Sequence, residues 1–114
     1  MNNTMKGVAL GLSLLIAGAS MPAHADAIEG TVVYNKSGCR SRYVVETTLG
    51  YAILEWYGGY DPSEGDVLAG EINSYGFKDL YNITKKQSAQ VWIEDYLLSK
   101  SRLQEKFFKK FCNK

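Results

Sequence analysis

The hydrophobic pattern of the chain predicts short strands first and a helix at the end. From residue 28 to residue 83, β-branched and aromatic residues occur in short runs that glycines and polar turn residues interrupt. The predicted strands are 28–34, 43–48, 51–57, 67–72 and 77–83. The two residues before Tyr51 suit a tight hairpin turn in which Gly50 takes a positive φ. Strand 51–57 has large side chains on both of its alternating faces, so we expect it to lie in the centre of the sheet.

The pattern after residue 83 is that of an amphipathic helix. The large apolar side chains of this part fall on one arc when they are projected at about 100° per residue. Thr84 with Gln87 three residues later has the spacing of a capping box, which marks a helix start. The sequence therefore predicts a helical segment over 84–111, with Val91 and Leu98 on its opposite face, where they would be exposed or would contact another chain.

Strands followed by one helix predict an α+β fold. We expect a small antiparallel five-strand sheet or barrel of the OB or SH3-like kind, followed by one C-terminal amphipathic helix that closes an end or covers a face. Residues 26–114 should form a single small domain, β-rich over 28–83 and helical over 84–111, because a chain of this length can bury only one modest core.

Residues 1–25 have the three parts of a cleavable export signal. Lys6 supplies a positive charge, residues 7–19 form an uncharged apolar run, and residues 23–25 (Ala-His-Ala) have the small-x-small pattern of a cleavage site. The run is shorter than the about 20 apolar residues that span a bilayer. We therefore expect cleavage before Asp26, no stable membrane insertion, and export to the periplasm or the medium. An uncleaved N-terminal anchor is the alternative.

Removal of this segment would leave a chain with balanced charge. The 13 Lys+Arg less Lys6 leave 12, equal to the 12 Asp+Glu, and the only histidine, His24, is lost. Such a balance gives no overall electrostatic reason to bind nucleic acid, so no nucleic-acid partner is expected. The charges are uneven, however, with an acidic stretch over 46–79 and a basic one over 82–114. These stretches could be two faces that attract each other weakly or a dipole that docks a partner.

Cys39 and Cys112 are the two cysteines of the chain. An even number of cysteines in an exported protein predicts a disulfide. A redox pair or a metal site is the alternative, but the chain has no CxxC spacing and no histidine after residue 25 to complete a zinc set. A Cys39–Cys112 bridge would stabilise the fold by about 4 kcal/mol through the chain entropy of the loop it closes.

Several kinds of chemistry have no residues to carry them out. Catalysis by a nucleophile and histidine lacks its base, and no phosphate-loop or dinucleotide motif is present. A small carboxylate hydrolase remains an alternative, with candidate acids Glu55, Asp61, Glu64, Asp66 and Glu71. Residues 61–66 could also offer oxygen atoms to Ca²⁺, but they lack the spacing of a dedicated calcium loop and a plain turn is favoured. We therefore predict no catalytic residue, no cofactor and no metal site.

Tyrosines in or beside predicted loops are the strongest candidates for a binding surface. Tyr57 and Tyr60 flank two glycines in the long predicted loop 58–65, which is not expected to pack in the core, and Tyr75 lies in a turn. Exposed tyrosines offer rigid, amphipathic contact area. The predicted binding residues are therefore Tyr57, Tyr60, Asp61 and Tyr75, although tyrosines at the rim of a small barrel can also serve the core.

The function expected from these features is that of an exported binding module. It would dock a protein or glycan partner in the cell envelope, as inhibitor, immunity or accessory proteins do. The alternatives are a secreted effector or toxin-like protein and the carboxylate hydrolase. The sequence makes no prediction of oligomeric state.

Overall fold

The computed structural model of the protein describes residues 27–112, and the predicted export signal lies outside this part of the chain. Within it, six antiparallel strands form a closed barrel. The strands are β1 (Ile28–Tyr34), β2 (Arg42–Thr47), β3 (Gly50–Gly59), β4 (Val67–Gly70), β5 (Gly76–Asn82) and β6 (Gln87–Leu98). A short helix, α1 (Lys100–Leu103), follows β6 and continues as a π-helical segment, Gln104–Phe108.

The six strands are connected in a Greek-key order. β1 pairs with β2, β2 pairs with β3, and β4 returns to pair with the other side of β1. Hairpins then add β5 and β6, and β6 pairs with β3 to close the barrel. Because each of these strands has two neighbours, none of the six presents an open sheet edge.

The predicted helix over 84–111 is wrong for its first half. Gln87–Leu98 is the longest strand of the barrel, so the strands number six where five were predicted. Val91 and Leu98, expected to be exposed on that helix, are both buried. The broader prediction of a small barrel with one C-terminal helix is confirmed.

Alternation along β6 explains this outcome. Val91 and Ile93 face the barrel interior at the period of two that a strand requires, while their neighbour Trp92 points outward. The helix begins only at Ser99, whose hydroxyl accepts a hydrogen bond from the backbone N–H of Arg102. The predicted cap Thr84 has another role, since its Oγ1 accepts a hydrogen bond from the backbone N–H of Val67 at 2.9 Å.

The barrel carries two hydrophobic cores, one inside and one on its outer surface. The interior core consists of Val32, Tyr43, Val45, Ala52, Leu54, Leu68, Ile72, Leu80, Val91 and Ile93. The outer core lies between the sheet and the C-terminal segment and consists of Cys39, Val44, Ile53, Leu98, Leu103, Phe107 and Phe111. Strand β3 contributes to both, since Leu54 and its neighbour Ile53 are each 0% exposed on opposite faces. The large side chains expected on both faces of this strand are therefore buried, although in a closed barrel every strand has two neighbours and none is central.

A disulfide joins Cys39 in the β1–β2 loop to Cys112 after the helix, as the sequence predicts. It closes a loop of 73 residues and fixes the end of the C-terminal segment against the barrel. Such a bond is compatible with an oxidising compartment. None of the helices among residues 27–112 is long and apolar enough to cross a membrane.

Candidate functional site

Three aromatic side chains meet on the outer surface of the adjacent strands β3, β6 and β5. Phe77 in β5 lies directly opposite Trp92 in β6, and their ring centroids are 4.9 Å apart. Tyr57 in β3 reaches Phe77 across β6, with 4.8 Å between the ring centroids. Phe77 is 62% exposed and Tyr57 is 52% exposed. We call Tyr57, Phe77 and Trp92 the aromatic face.

The alternation of β5 places its outward side chains beside this face. Leu80 and Asn82 point inward and are buried, whereas Phe77, Asp79 and Tyr81 point outward and are exposed. The C-terminal segment packs against other residues of the barrel, in β1, β2, β3 and the end of β6. The C-terminal segment therefore leaves the outward side chains of β5 uncovered.

A charged network borders the aromatic face on the side of β2. The Arg42 guanidinium donates hydrogen bonds to Glu55 at 3.1 Å and to Glu94 at 3.0 Å. It also lies over the Phe111 ring, with 4.1 Å between the guanidinium carbon and the ring centroid. Glu55 is directly opposite Trp92, so this network joins the border of the aromatic face to Phe111 in the C-terminal segment.

A groove of about 580 Å³ lies beside Phe77, lined mainly by β5 and the end of β4, with Ser88 of β6 and Ala27 completing it. Asp79 and Tyr81 line it together with Glu71 and Lys78. Lys78 Nζ is 3.5 Å from Glu71 Oε1, a long contact for an ion pair. The Asp79 side chain, by contrast, has no hydrogen bond or ion pair with any residue of the described chain. An exposed carboxylate therefore lies unpaired beside two exposed rings.

The structure divides the four predicted binding residues among different contacts. Tyr57 belongs to the aromatic face, and Tyr75 forms a separate edge-to-face pair with Tyr96 at 4.8 Å. The Tyr75 hydroxyl also donates a hydrogen bond to Asp95 Oδ1 at 3.4 Å, and the negative charge of that carboxylate raises the pKa of Tyr75.

Tyr60 and Asp61, the other two predicted binding residues, help to hold the long loop in place. The Lys85 ammonium lies 5.6 Å from the centroid of the Tyr60 ring, and Asp61 Oδ1 accepts a hydrogen bond from Asn35 Nδ2 at 3.0 Å. Asn35 Nδ2 also donates to the carbonyl of Pro62, whose side chain is buried. Pro62 is thus buried within the loop although it belongs to neither hydrophobic core, and the first two residues of the predicted loop, Gly58 and Gly59, belong to β3.

Each of the five candidate acids of a hydrolase is already engaged by another side chain of the barrel. The pairs are Glu55–Arg42, Asp61–Asn35, Glu64–Lys36, Asp66–Lys85 and Glu71–Lys78. Hydrogen bonds from the Asn35 backbone and from Lys36 lower the pKa of Glu64. Within residues 27–112, no three His, Cys, Asp or Glu side chains are close enough together to hold a metal ion.

Asp66 is the most deeply buried of these acids, at 3% exposed. Its carboxylate accepts hydrogen bonds from Asn82 Nδ2 at 2.8 Å, the Ser63 backbone at 3.0 Å and Lys85 Nζ at 2.8 Å. Burial by itself raises the pKa of Asp66, but these hydrogen bonds outweigh it and the pKa is lowered. A carboxylate held ionised in this way connects the loop to the β5–β6 hairpin and is poorly suited to donate a proton.

The sequence prediction of the site missed Phe77, Asp79 and Trp92. Trp92 was assigned to a helix that does not form. For Phe77 and Asp79 a signal exists, since they alternate with Leu80 in a way that places them on the outward face of a strand. That alternation does not reveal whether anything covers the outward face.

No family model matches the chain, and no curated protein or solved structure shows significant similarity to it. The case for a function therefore rests on the geometry of the aromatic face and its surroundings.

Proposed function

We propose that the protein is an exported binding module that docks a protein or glycan partner through the aromatic face. The observation that carries the proposal is the exposure of Phe77, at 62%, in the centre of a rigid three-ring cluster on the barrel surface. Export to the periplasm or the medium remains part of the proposal, and the Cys39–Cys112 disulfide is compatible with it.

Exposed aromatic side chains of this kind are suited to be the centre of an interface. Buried aromatic residues dominate the energetics of many interfaces and tend to cluster near the middle of the contact area. The edge-to-face contacts with Tyr57 and Trp92 hold the Phe77 ring in place, so little conformational entropy would be lost on binding. Around the rings, Asp79, Gln90 and Ser88 offer the polar groups of an interface rim.

The closed barrel limits the ways in which a partner can bind. Because the six strands of the described chain leave no free edge, a partner would recognise side chains instead of adding a strand. OB-fold barrels, for example, bind oligonucleotides and oligosaccharides on one face and its adjoining loops. We extend that mode of binding to this six-strand barrel as an analogy of architecture. The carboxylate hydrolase has less support, since its candidate acids are engaged in ion pairs and hydrogen bonds.

Affinity capture of a partner by the wild-type protein and by two variants, carried out side by side, tests the proposal. Tagged wild-type protein, Phe77→Ala and Leu49→Ala would be incubated with an envelope extract and, separately, with insoluble cell-wall glycan. Leu49 is the matched control, because it is 58% exposed but lies in the β2–β3 turn. A partner specific to the aromatic face binds wild type and Leu49→Ala equally, and calorimetry with the purified partner shows a loss of about 30-fold for Phe77→Ala. If all three proteins bound the partner with equal affinity, the proposal would be contradicted. The basic segment around Lys106, Lys109 and Lys110 would then be the next candidate for the binding site.

A further inference from the structure

We infer that the groove beside the aromatic face binds a cationic side chain, arginine or lysine, of a protein partner, with Asp79 as its counter-charge. This inference rests on the proposed function and specifies the chemistry of the partner. Asp79 lies between Phe77 and Tyr81 on the outward face of β5, about 7 Å along the strand from each. The row is therefore aromatic, acidic and aromatic.

The charges of the groove favour a cation. Asp79 has no hydrogen bond or ion pair in the described chain, and Glu71 is bound to Lys78 only at 3.5 Å. Two carboxylates against one ammonium group leave the groove with one negative charge in excess. Gln90, which lies directly opposite Asp79 on β6, is neutral and supplies no competing cation. An external ammonium or guanidinium group would complete the pairing that the barrel itself leaves open.

The rings beside Asp79 strengthen the preference for a cation. Phe77 is 62% and Tyr81 is 46% exposed, and a cation over an aromatic face within about 6 Å is attracted by the ring quadrupole. A guanidinium is planar, so it can lie on a ring while it donates hydrogen bonds to a carboxylate. The groove, at about 580 Å³, falls in the range of pockets that hold small ligands and accommodates a long side chain.

The orientation of the rings argues for a protein and against a glycan. The Phe77 ring makes angles of 84° with the Tyr57 ring and 78° with the Trp92 ring. Neighbouring rings therefore share no plane on which successive flat sugar rings could stack. A corrugated surface with one unpaired carboxylate fits the side chains of a basic protein segment.

Titration of the ¹⁵N-labelled protein with N-acetyl-arginine amide tests the inference, followed by NMR spectra of the backbone amides. The neutral probe N-acetyl-citrulline amide has nearly the same shape and serves as the control ligand. The arginine probe is expected to bind with a Kd on the order of millimolar and to shift the amides of Phe77–Tyr81 and Gln90. The citrulline probe should bind about fivefold more weakly, as expected for the loss of an exposed ion pair.

Two variants identify the carboxylate. Asp79→Asn should lower the affinity for the arginine probe about fivefold, whereas Glu46→Gln should leave that affinity unchanged. Glu46 is a matched control because it is also exposed and unpaired within the described chain, but lies on β2. Equal binding of arginine and citrulline probes, or an unchanged affinity of Asp79→Asn, would overturn the inference. So would a titration in which maltotriose shifts the same amides and the arginine probe does not.

The same variants separate this inference from the proposed function. If the purified partner loses affinity for Phe77→Ala but not for Asp79→Asn, the aromatic face is the binding site and the cationic contact is wrong. If the partner loses affinity for neither variant, the proposed function fails. The arginine titration then still decides whether the groove selects a cation.

Discussion

The Tyr57 ring stands edge-on to the Phe77 ring at 4.8 Å, although their strands, β3 and β5, are not hydrogen-bonded to each other. Both strands flank β6, so the contact passes over the strand between them. Each edge-to-face pair contributes about 0.5–1.5 kcal/mol to stability beyond its buried area. That amount is small compared with what an aromatic side chain can contribute at an interface, so binding and folding should respond differently to mutation here.

Tyr57→Ala and Tyr60→Ala are expected to differ in their effect on partner binding. Tyr57 is more than half exposed, so its loss should weaken partner binding by about 2 kcal/mol while it lowers the free energy of unfolding by about 1 kcal/mol or less. Tyr60 lies under Lys85, and its removal should lower the free energy of unfolding by about 0.5–1 kcal/mol, with unchanged affinity per folded molecule. Urea denaturation and calorimetry on both variants measure the two quantities. Unchanged binding by Tyr57→Ala would place the site elsewhere.

Stability should fall in acid because of Asp66. The hydrogen bonds from Lys85, Asn82 and Ser63 lower its pKa in the folded state, whereas in the unfolded chain it is about 3.9. A lowered folded pKa means that the stabilisation is complete above about pH 4 and is lost as the pH falls through the folded value. Asp66→Asn should lose this part of the pH dependence and about 2 kcal/mol of stability at pH 7.

Urea denaturation between about pH 2 and pH 7 measures this dependence. Asp79→Asn is the control, because its carboxylate is exposed and unpaired within residues 27–112. It should retain the acid response of the wild type. If the stability of Asp66→Asn still fell in acid as steeply as that of the wild type, Asp66 would not be the group responsible for the acid response.

Removal of the disulfide should loosen the outer core more than the barrel interior. The Cys39→Ser/Cys112→Ser variant is expected to lose about 2–5 kcal/mol in the free energy of unfolding. Hydrogen exchange should quicken most in Lys100–Leu103 and Gln104–Phe108, because these residues depend on the outer core alone. A uniform increase in the hydrogen-exchange rate across all six strands would show that the two cores unfold as one unit. The oxidised wild-type protein should be lighter than the reduced protein by the mass of two hydrogen atoms.

The mature N-terminus is predicted to be Asp26. The prediction rests on the apolar run 7–19 and the Ala-His-Ala pattern before the proposed cleavage site. N-terminal sequencing of the protein recovered outside the cytoplasm measures this directly. Retention of Met1 in a membrane fraction would favour the uncleaved anchor instead.

Features that depend on local geometry or on simple counting could be predicted from the sequence. Strand β1 has the predicted bounds, Ile28–Tyr34. Gly50 has the positive φ that the sequence predicts, 137°, and a Cβ at this position would lie 3.0 Å from the Leu98 carbonyl oxygen. Cys39 and Cys112 had no alternative partner, so their pairing followed from their number and from the expected export.

Strand β6 depended on the rest of the fold. Its apolar residues fit both an arc of a helix and the alternation of Val91 and Ile93, so the local pattern did not distinguish the two. A helix satisfies its own backbone hydrogen bonds, whereas this strand obtains them from β3 on one side and β5 on the other. Both neighbouring strands are in place only in the assembled barrel. There the hydrogen bonds to β3 and β5 favour a strand over a helix for these residues.

In the candidate site, too, the local sequence pattern determined some features and the tertiary structure determined others. Alternation in the sequence separates Ile53 from Leu54 and Phe77 from Leu80, since a period of two assigns alternate side chains of a strand to opposite faces, and in the barrel Ile53 and Phe77 lie on the outer face. It did not determine what lies over that face. Ile53 is fully buried because the C-terminal segment, held by the Cys39–Cys112 bond, packs on it, whereas Phe77 on β5 is left 62% exposed. The position of that segment is a long-range property of the fold, and it decides which outward side chains become core and which remain free to bind.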